Sequence, residues 1–267
     1  MGLPAPSAAG TALVTGASSG IGAEIARELA RRGHHLTLLA RRDERLRSLA
    51  AEISGELGGE AEVIGCDLAD ASARERIGER VGAIGRQVEV LVNNAGFGHR
   101  GDFANGDPSR QVEMVRVDVE AVVDLCGRFL AGMVRRGRGA VINVASTAAF
   151  QPLPGSATYA ASKSFILSFS ESVHTELRGS GVTLTAVCPG PVRTEFTEVA
   201  GMEGAEDRTP GAIWMTAADV AGDAVRAADE GKRVVVPGIL NRAGAIAGQH
   251  SPRALALPLV SRLWSRA

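Results

Sequence analysis

The sequence predicts an α/β fold: one doubly wound parallel sheet of about seven strands with helices on both faces. Three observations predict it. Short apolar runs alternate with stretches of helical period along the chain, the pattern of strands joined by crossover helices. A glycine-rich turn, Thr15-Gly16-Ala17-Ser18-Ser19-Gly20-Ile21-Gly22, links the first run to the first helical stretch, as in a Rossmann-type nucleotide-binding unit. The 267 residues are 45 % apolar and 4 % aromatic, which suits a sizeable aliphatic core in one domain.

The elements follow in order. Ala12-Leu13-Val14 marks a strand near 11–15, and the amphipathic stretch Ala23 to Arg31 marks a helix near 20–32. Further strands are expected near 35–40, 61–66, 88–92, 139–145, 182–188 and 233–236. Helices are expected between them near 43–57, 70–84, 108–136, 157–179 and 217–230. Thr216-Ala217-Ala218-Asp219 is a capping box that starts the last of these. The domain spans 11–238, with the irregular stretch 189–215 inside it; a loop of that length in a compact domain is usually functional.

Residues 1–10 lack the basic-then-apolar pattern of a signal peptide and are expected to form a disordered arm. The tail 239–267 interleaves Arg242, Arg253, Arg262 and Arg266 with apolar residues including Trp264. Gly244, Gly248, Pro252 and Pro258 break any long helix there, which favours a subunit interface or a loose tail over a helix lying on a membrane.

Lys and Arg number 29 against 30 Asp and Glu, with the signs interspersed, so nothing points to nucleic acid. Cys66, Cys126 and Cys188 are scattered without a C-x-x-C pair. They read as small buried hydrophobes in a reducing, cytoplasmic compartment rather than as disulfides or a metal site.

The chemistry centres on the only tyrosine, Tyr159, four residues before Lys163, one of two lysines in the chain. On a helix these positions share a face, so phenol and ammonium converge. The ammonium favours phenolate and draws the phenol's pKa down, making Tyr159 a candidate proton donor and acceptor. A buried tyrosine beside a solvated lysine is the alternative for an isolated Y-x-x-x-K. The glycine turn supplies context, because glycines and a helix N-terminus let backbone N–H groups approach a pyrophosphate.

With Asn93-Asn94-Ala95-Gly96 after the strand Val88 to Val92, Ser146 thirteen residues before Tyr159, and Cys188-Pro189-Gly190, the chain resembles the short-chain dehydrogenase/reductase family over roughly residues 10 to 238. The resemblance implies proton transfer by Tyr159, a hydrogen bond from Ser146 to the substrate oxygen, and Lys163 acting on the tyrosine and the nicotinamide ribose. It implies cofactor contacts from Gly16, Ser18, Ser19, Gly20, Ile21 and Gly22. It also implies adenine-side contacts from Asp67 and Leu68, ribose contacts from Asn93, Ala95 and Gly96, and nicotinamide-side contacts from Pro189, Gly190, Val192 and Thr194. The family's fourth catalytic position, an asparagine holding a relay water, reads as Asp118 here. An aspartate accepts from a water but does not donate, so a modified relay is expected.

The second strand ends Leu38-Leu39-Ala40-Arg41-Arg42, with Ala40 where an NAD-specific site carries an acidic residue. Arg41 and Arg42 favour NADP(H) over NAD(H), since a guanidinium binds a 2′-phosphate through paired hydrogen bonds. Ser18, in a turn where NADP-binding relatives often carry a basic residue, counts a little against this.

Phe97, Phe150, Leu153, Phe196, Met202, Trp214 and Met215 are expected near the site. They point to a medium-sized hydrophobic carbonyl or alcohol, or else merely anchor loops. His99 and Arg100, after the Asn93-Asn94-Ala95-Gly96 motif, could reach the pocket rim but read rather as exposed loop residues. A homodimer or homotetramer is implied, pairing through the long helices near 108–136 and 157–179. A nucleotide-sensing protein without turnover, and a dehydratase or epimerase on the same scaffold, are the alternatives to a carbonyl reductase or alcohol dehydrogenase.

Overall fold

A computed structural model describes residues 2–201, 210–254, 257–258 and 260–261. Met202, Arg262, Trp264 and Arg266 lie outside the described residues. The strands are β1 (Gly10–Thr15), β2 (Leu36–Ala40), β3 (Ala61–Gly65), β4 (Gln87–Asn93), β5 (Gly139–Val144), β6 (Val182–Val187), β7 (Val192–Arg193), β8 (Met215–Thr216) and β9 (Val234–Val235). Seven form one sheet in the order β3-β2-β1-β4-β5-β6-β9, with every pairing parallel. This is the predicted architecture.

Both faces of the sheet are covered, which explains why β1, β2 and β5 read as unbroken buried runs. Alternation along a strand divides the core. Ala12 and Val14 pack in one cluster with Ile25 and Leu29 of α1 (Gly20–Arg31), Leu46 of α2 (Asp43–Glu56) and Val220 of the helix Ala217–Asp229. Leu13 packs on the other face with Leu91, with Leu125 of the long helix α6 (Ala121–Arg136), and with Ile166 of α7 (Ala157–Glu176). The chain runs outward through β1, β2 and β3 and returns to lay β4 against β1. That reversal opens a crevice at the carboxyl ends of the strands.

Three details depart from the periodicity. The helix expected over 70–84 is two short helices, α3 (Ala71–Glu75) and α4 (Ile77–Ala83), meeting at Arg76. Arg74 is fully buried there, donating to Leu68 O at 2.6 Å and pairing with Asp124 and Glu120 of the next layer. The helix expected over 108–136 is α5 (Pro108–Val115), a π-helical turn at Arg116–Glu120, and α6. Third, the expected disordered arm is held against the sheet. Arg86 donates to Ala8 O, Arg138 to Ala5 O, and Ser7 Oγ to Glu89 Oε1 at 3.1 Å, so the arm's carbonyls have fixed donors.

A polar seam crosses the buried centre. Asn93 Nδ2 donates to Asn143 Oδ1 at 2.9 Å, and Asn143 Nδ2 donates to Ser170 Oγ at 3.0 Å, tying β4 to β5 and β5 to α7. The three cysteines are free and buried, and burial pushes the Cys126 and Cys188 thiols up to about 12. No helix among the described residues is long and apolar enough to cross a membrane.

Candidate active site

The crevice is a cleft of about 730 Å³, and the glycine turn forms one end of it. Gly16 and Gly20 have φ of +65° and +56°, a region that L side chains rarely adopt. At Gly16 a Cβ would also stand 2.7 Å from Asn94 Nδ2, and at Gly22 it would stand 2.4 Å from the same atom. Asn94 is why the turn is so tight: its amide donates to Thr15 O at 3.0 Å and Gly16 O at 3.3 Å. Thr15 Oγ1 completes the clamp, accepting from the backbone N–H of Asn94 and of Ala95, both at 3.0 Å. Helix α1 then begins at Gly20 with no side-chain cap and no acidic residue in its first turn, leaving N–H groups and the positive dipole end for an anion.

At the middle of the cleft, β5 ends at Val144 and Ser146 caps the helical turn Thr147–Phe150, accepting from Ala148 N at 3.1 Å. Helix α7 carries Tyr159 and Lys163 into the same cleft. Lys163 is buried with Nζ 5.6 Å from the Tyr159 ring centroid, 3.4 Å from Val144 O and 3.1 Å from Asp118 Oδ2. Asp118 is buried behind the cleft on the π-helical turn, where its Oδ1 accepts from Phe97 N at 3.1 Å. The widened turn is thus the element that brings the departing carboxylate to the lysine.

The electrostatics differ from a bare tyrosine–lysine pair. Burial opposes the charge on Lys163, but Asp118 and Tyr159 outweigh it and hold the lysine above its ordinary pKa. Burial raises Asp118 above the usual carboxylate range against the pull of Lys163 and the Phe97 N–H. The Tyr159 phenol also lies above its ordinary value. Burial is the main cause; Lys163 and Ser146 pull it down, and the Asp118 charge pushes it up. The downward shift expected from the lysine alone is therefore outweighed.

The structure brings most of the predicted residues together. Gly16, Ser18, Ser19, Gly20, Ile21, Arg41, Arg42, Asp67, Leu68, Ala95, Gly96, Pro189, Gly190, Val192 and Thr194 all line the cleft. So do Phe97, Phe150, Leu153, Phe196 and Trp214. Gly22 and Asn93 do not; Asn93 turns its amide into the seam with Asn143, and Asn94 takes the lining position. Met215 lies outside the cleft on β8, paired with Val192. His99 lines the cleft, taking the rim position rather than that of an exposed loop residue.

The two arginines are placed differently. Arg41 is 61 % exposed at its side chain, with one long contact among the described residues, 3.5 Å to Glu113. Arg42 donates to Ser18 and to Ser19 Oγ (2.7 Å) and pairs with Glu195 at 2.8 Å, a carboxylate that Arg45 also holds at 2.5 Å. The loop after Gly190 thereby fastens to the glycine-turn end, and its next residue, Phe196, packs on Tyr159 with ring centroids 5.6 Å apart. The described parts of this loop are not structureless: Val192 and Arg193 pair with Met215 and Thr216 at its two ends. The capping box forms, with Asp219 N donating to Thr216 Oγ1 at 3.1 Å.

Sequence reasoning missed the far wall. The tail forms a helix, Ile239–His250, through Gly244 and Gly248, and Leu240, Asn241, Gly244 and Ala245 line the cleft. Asn241 is buried, donates to Ile213 O at 3.1 Å, and lies so near Gly190 that a Cβ there would be 2.3 Å from its Oδ1. Nothing local in the tail signals this, because its role depends on where it docks.

Comparison with known proteins places the chain. A family model described as short chain dehydrogenase matches residues 10–203. The chain is 34 % identical over 196 residues to a very-long-chain 3-oxoacyl-CoA reductase of Anas platyrhynchos, matching 71 % of this chain and 62 % of that protein. It is 35 % identical over 194 residues to sulfoacetaldehyde reductase 2 of Chromohalobacter salexigens, matching 70 % of this chain and 74 % of that protein. Several curated relatives are longer, and the match spans 32 to 62 % of their length. Among solved structures, a short-chain dehydrogenase from Sphingobium yanoikuyae in complex with NADPH superposes with a TM-score of 0.80 at 32 % identity. The match covers 94 % of this chain and 95 % of that one. L-sorbose reductase from Gluconobacter frateurii, complexed with NADPH and L-sorbose, gives 0.76 at 27 % identity over 90 % and 98 % of the two chains.

Proposed function

Because this chain belongs to the short chain dehydrogenase family, we propose that it is an NADP(H)-dependent oxidoreductase interconverting a carbonyl and an alcohol on a medium-sized hydrophobic substrate. The observation that carries this is the convergence of Tyr159, Lys163 and Ser146 on one cleft with the glycine turn. The cradle fits a dinucleotide: glycines where a Cβ would collide, an uncapped helix start, and no acidic side chain in the first turn. A nicotinamide bound there supplies or accepts the hydride.

The chain's residues do the rest. Ser146 Oγ orients the substrate oxygen. Tyr159 gives its proton to that oxygen in reduction or takes one in oxidation. The phenol lies above its ordinary value and so carries the proton that reduction consumes. Lys163 holds positive charge beside the phenol and offers N–H donors to ribose hydroxyls; Asp118 fixes its position. Arg41, weakly engaged, and Arg42, over Ser18 and Ser19, are the candidates for a 2′-phosphate. The NADPH and NADP(H)-related solved relatives support that choice of cofactor. The apolar lining from Phe97, Phe150, Leu153, Phe196 and Trp214 supports an apolar substrate. Phe196, Val199 and Ala200, in the described part of the loop after Gly190, line the cleft and support a substrate-covering role for that loop. Exposed Val112, Val115, Val123 and Phe165 on α5, α6 and α7 support pairing of two copies.

The test is fluorescence titration with NADPH and NADH, followed by a reductase screen on hydrophobic ketones and aldehydes. Tighter NADPH binding with net oxidation of the cofactor is expected. Product formation without net cofactor turnover would favour dehydration or epimerisation, and failure to bind either cofactor would overturn the reading.

A further inference from the structure

The helix Ile239–His250 is fixed in rotation by two buried residues one turn apart, Asn241 and Ala245. Positions 240, 244 and 248 therefore form one row along it, since residues four apart stack on a helix surface. Leu240 and Gly244 line the cleft, and Gly248 faces Gln151, itself a lining residue. At Gly248 a Cβ would stand 3.1 Å from Gln151 Oε1, so the Gln151 side chain lies close over that glycine. Gly244 has no such neighbour among the described residues: a Cβ there would meet none of them within 4 Å. A glycine in a helix interior is less stable than alanine, and no described neighbour compensates for it at this position. Other helix glycines also have open surroundings, Gly55, Gly78, Gly127 and Gly222 among them, but those do not line the cleft.

From this, and resting on the carbonyl–alcohol reading, we infer that Gly244 is a specificity-determining position. Its missing side chain leaves room for an aliphatic chain that extends from the substrate carbonyl. The surroundings match such a chain. Phe150, Leu153 and Ala200 are apolar lining, and Leu240 and Val199, each 53 % exposed, line the same cleft with apolar surface open to solvent. Among the described residues, the polar groups at this end are Gln151, the Trp214 Nε1 and Asn241, whose Nδ2 is taken by Ile213 O, so apolar surface predominates there.

The test compares Gly244→Leu and Gly244→Ala with the unaltered chain, all loaded with NADPH, using 2-butanone and 2-undecanone as probes. Binding is read by saturation-transfer NMR and turnover by NADPH oxidation. Both substitutions raise helix propensity, so folding is preserved, and unchanged NADPH affinity verifies the cofactor end. The long ketone is expected to bind and react better than the short one in the unaltered chain. Gly244→Leu should lose that advantage by about tenfold or more, mainly in KM, with 2-butanone kinetics held within about twofold and Gly244→Ala intermediate. Gly244-dependent binding of 2-undecanone without turnover would sustain the inference while refuting reduction. An unaltered preference in Gly244→Leu, or no binding of 2-undecanone to the unaltered chain, would overturn it.

Discussion

Asp118 and Lys163 form a direct ion pair, Oδ2 to Nζ 3.1 Å, with both side chains buried. The family resemblance implies a neutral amide at position 118; here the lysine's charge is instead partnered. The Asp118 charge also raises the Tyr159 phenol. In Asp118→Asn that contribution disappears while the lysine ammonium remains, so the tyrosine limb of the kcat/KM profile should move to lower pH. Profiles recorded for both forms check this, with circular dichroism verifying the fold. Superimposable curves would exclude Asp118 from tuning the phenol.

Tyr159→Phe removes only the hydroxyl and keeps the ring against Phe196. Turnover should fall by about 10²- to 10⁴-fold, the usual worth of a positioned acid or base. NADPH binding should stay within about threefold of the unaltered protein, a margin of about 0.7 kcal/mol. Single-turnover rates and fluorescence titration measure the two quantities; retained turnover would refute the proton-transfer role.

Asn94→Ala deletes the amide that holds Thr15 and Gly16. Two lost hydrogen bonds should lower stability by about 1–3 kcal/mol. NADPH should bind more weakly, because the turn loses its clamp. Urea unfolding and the same titration check it. Unchanged affinity would mean that the turn holds its shape through Thr15 alone.

Acid sensitivity should trace in part to Asp124. Burial works against its ionisation, but hydrogen bonds from Arg74 and Arg128 outweigh that and hold its pKa below the ordinary carboxylate value. The unfolded chain therefore takes up the proton at higher pH than the native one. The stabilisation is present above about pH 4 and is lost as pH falls through the native value. Asp124→Asn should cost about 1–3 kcal/mol at pH 7, with the difference shrinking at pH 3. Urea midpoints at the two pH values decide it; a constant difference would assign the loss to packing.

The parts legible in the sequence were those carried by local spacing. Tyr159 and Lys163 share a helix face whatever the helix packs against, and a glycine turn between strand and helix forms its cradle from adjacent residues. What remained hidden depends on docking. Arg41 and Arg42 are adjacent in sequence, yet only Arg42 lies over the serines, because Glu195 from a distant loop pairs with it. Asn93 and Asn94 divide between seam and turn as the chain leaves the strand. The π-helical turn adds no composition signal, and the tail's glycines looked like breaks until Asn241 anchored the helix they belong to.

The buried bond from Asn143 to Ser170 has a consequence for alignment. Asn143 immediately precedes Val144, whose carbonyl lies against Lys163, and Ser170 follows Lys163 by seven residues on α7, about 10 Å along the axis. The amide and the hydroxyl therefore act as a key that sets how far the helix may slide along the strand. Leucine at both 93 and 143 with alanine at 170 would remove every polar group of the seam and leave no such stop. A protein altered in that way could melt at an ordinary temperature and still hold its tyrosine at the wrong height above the sheet.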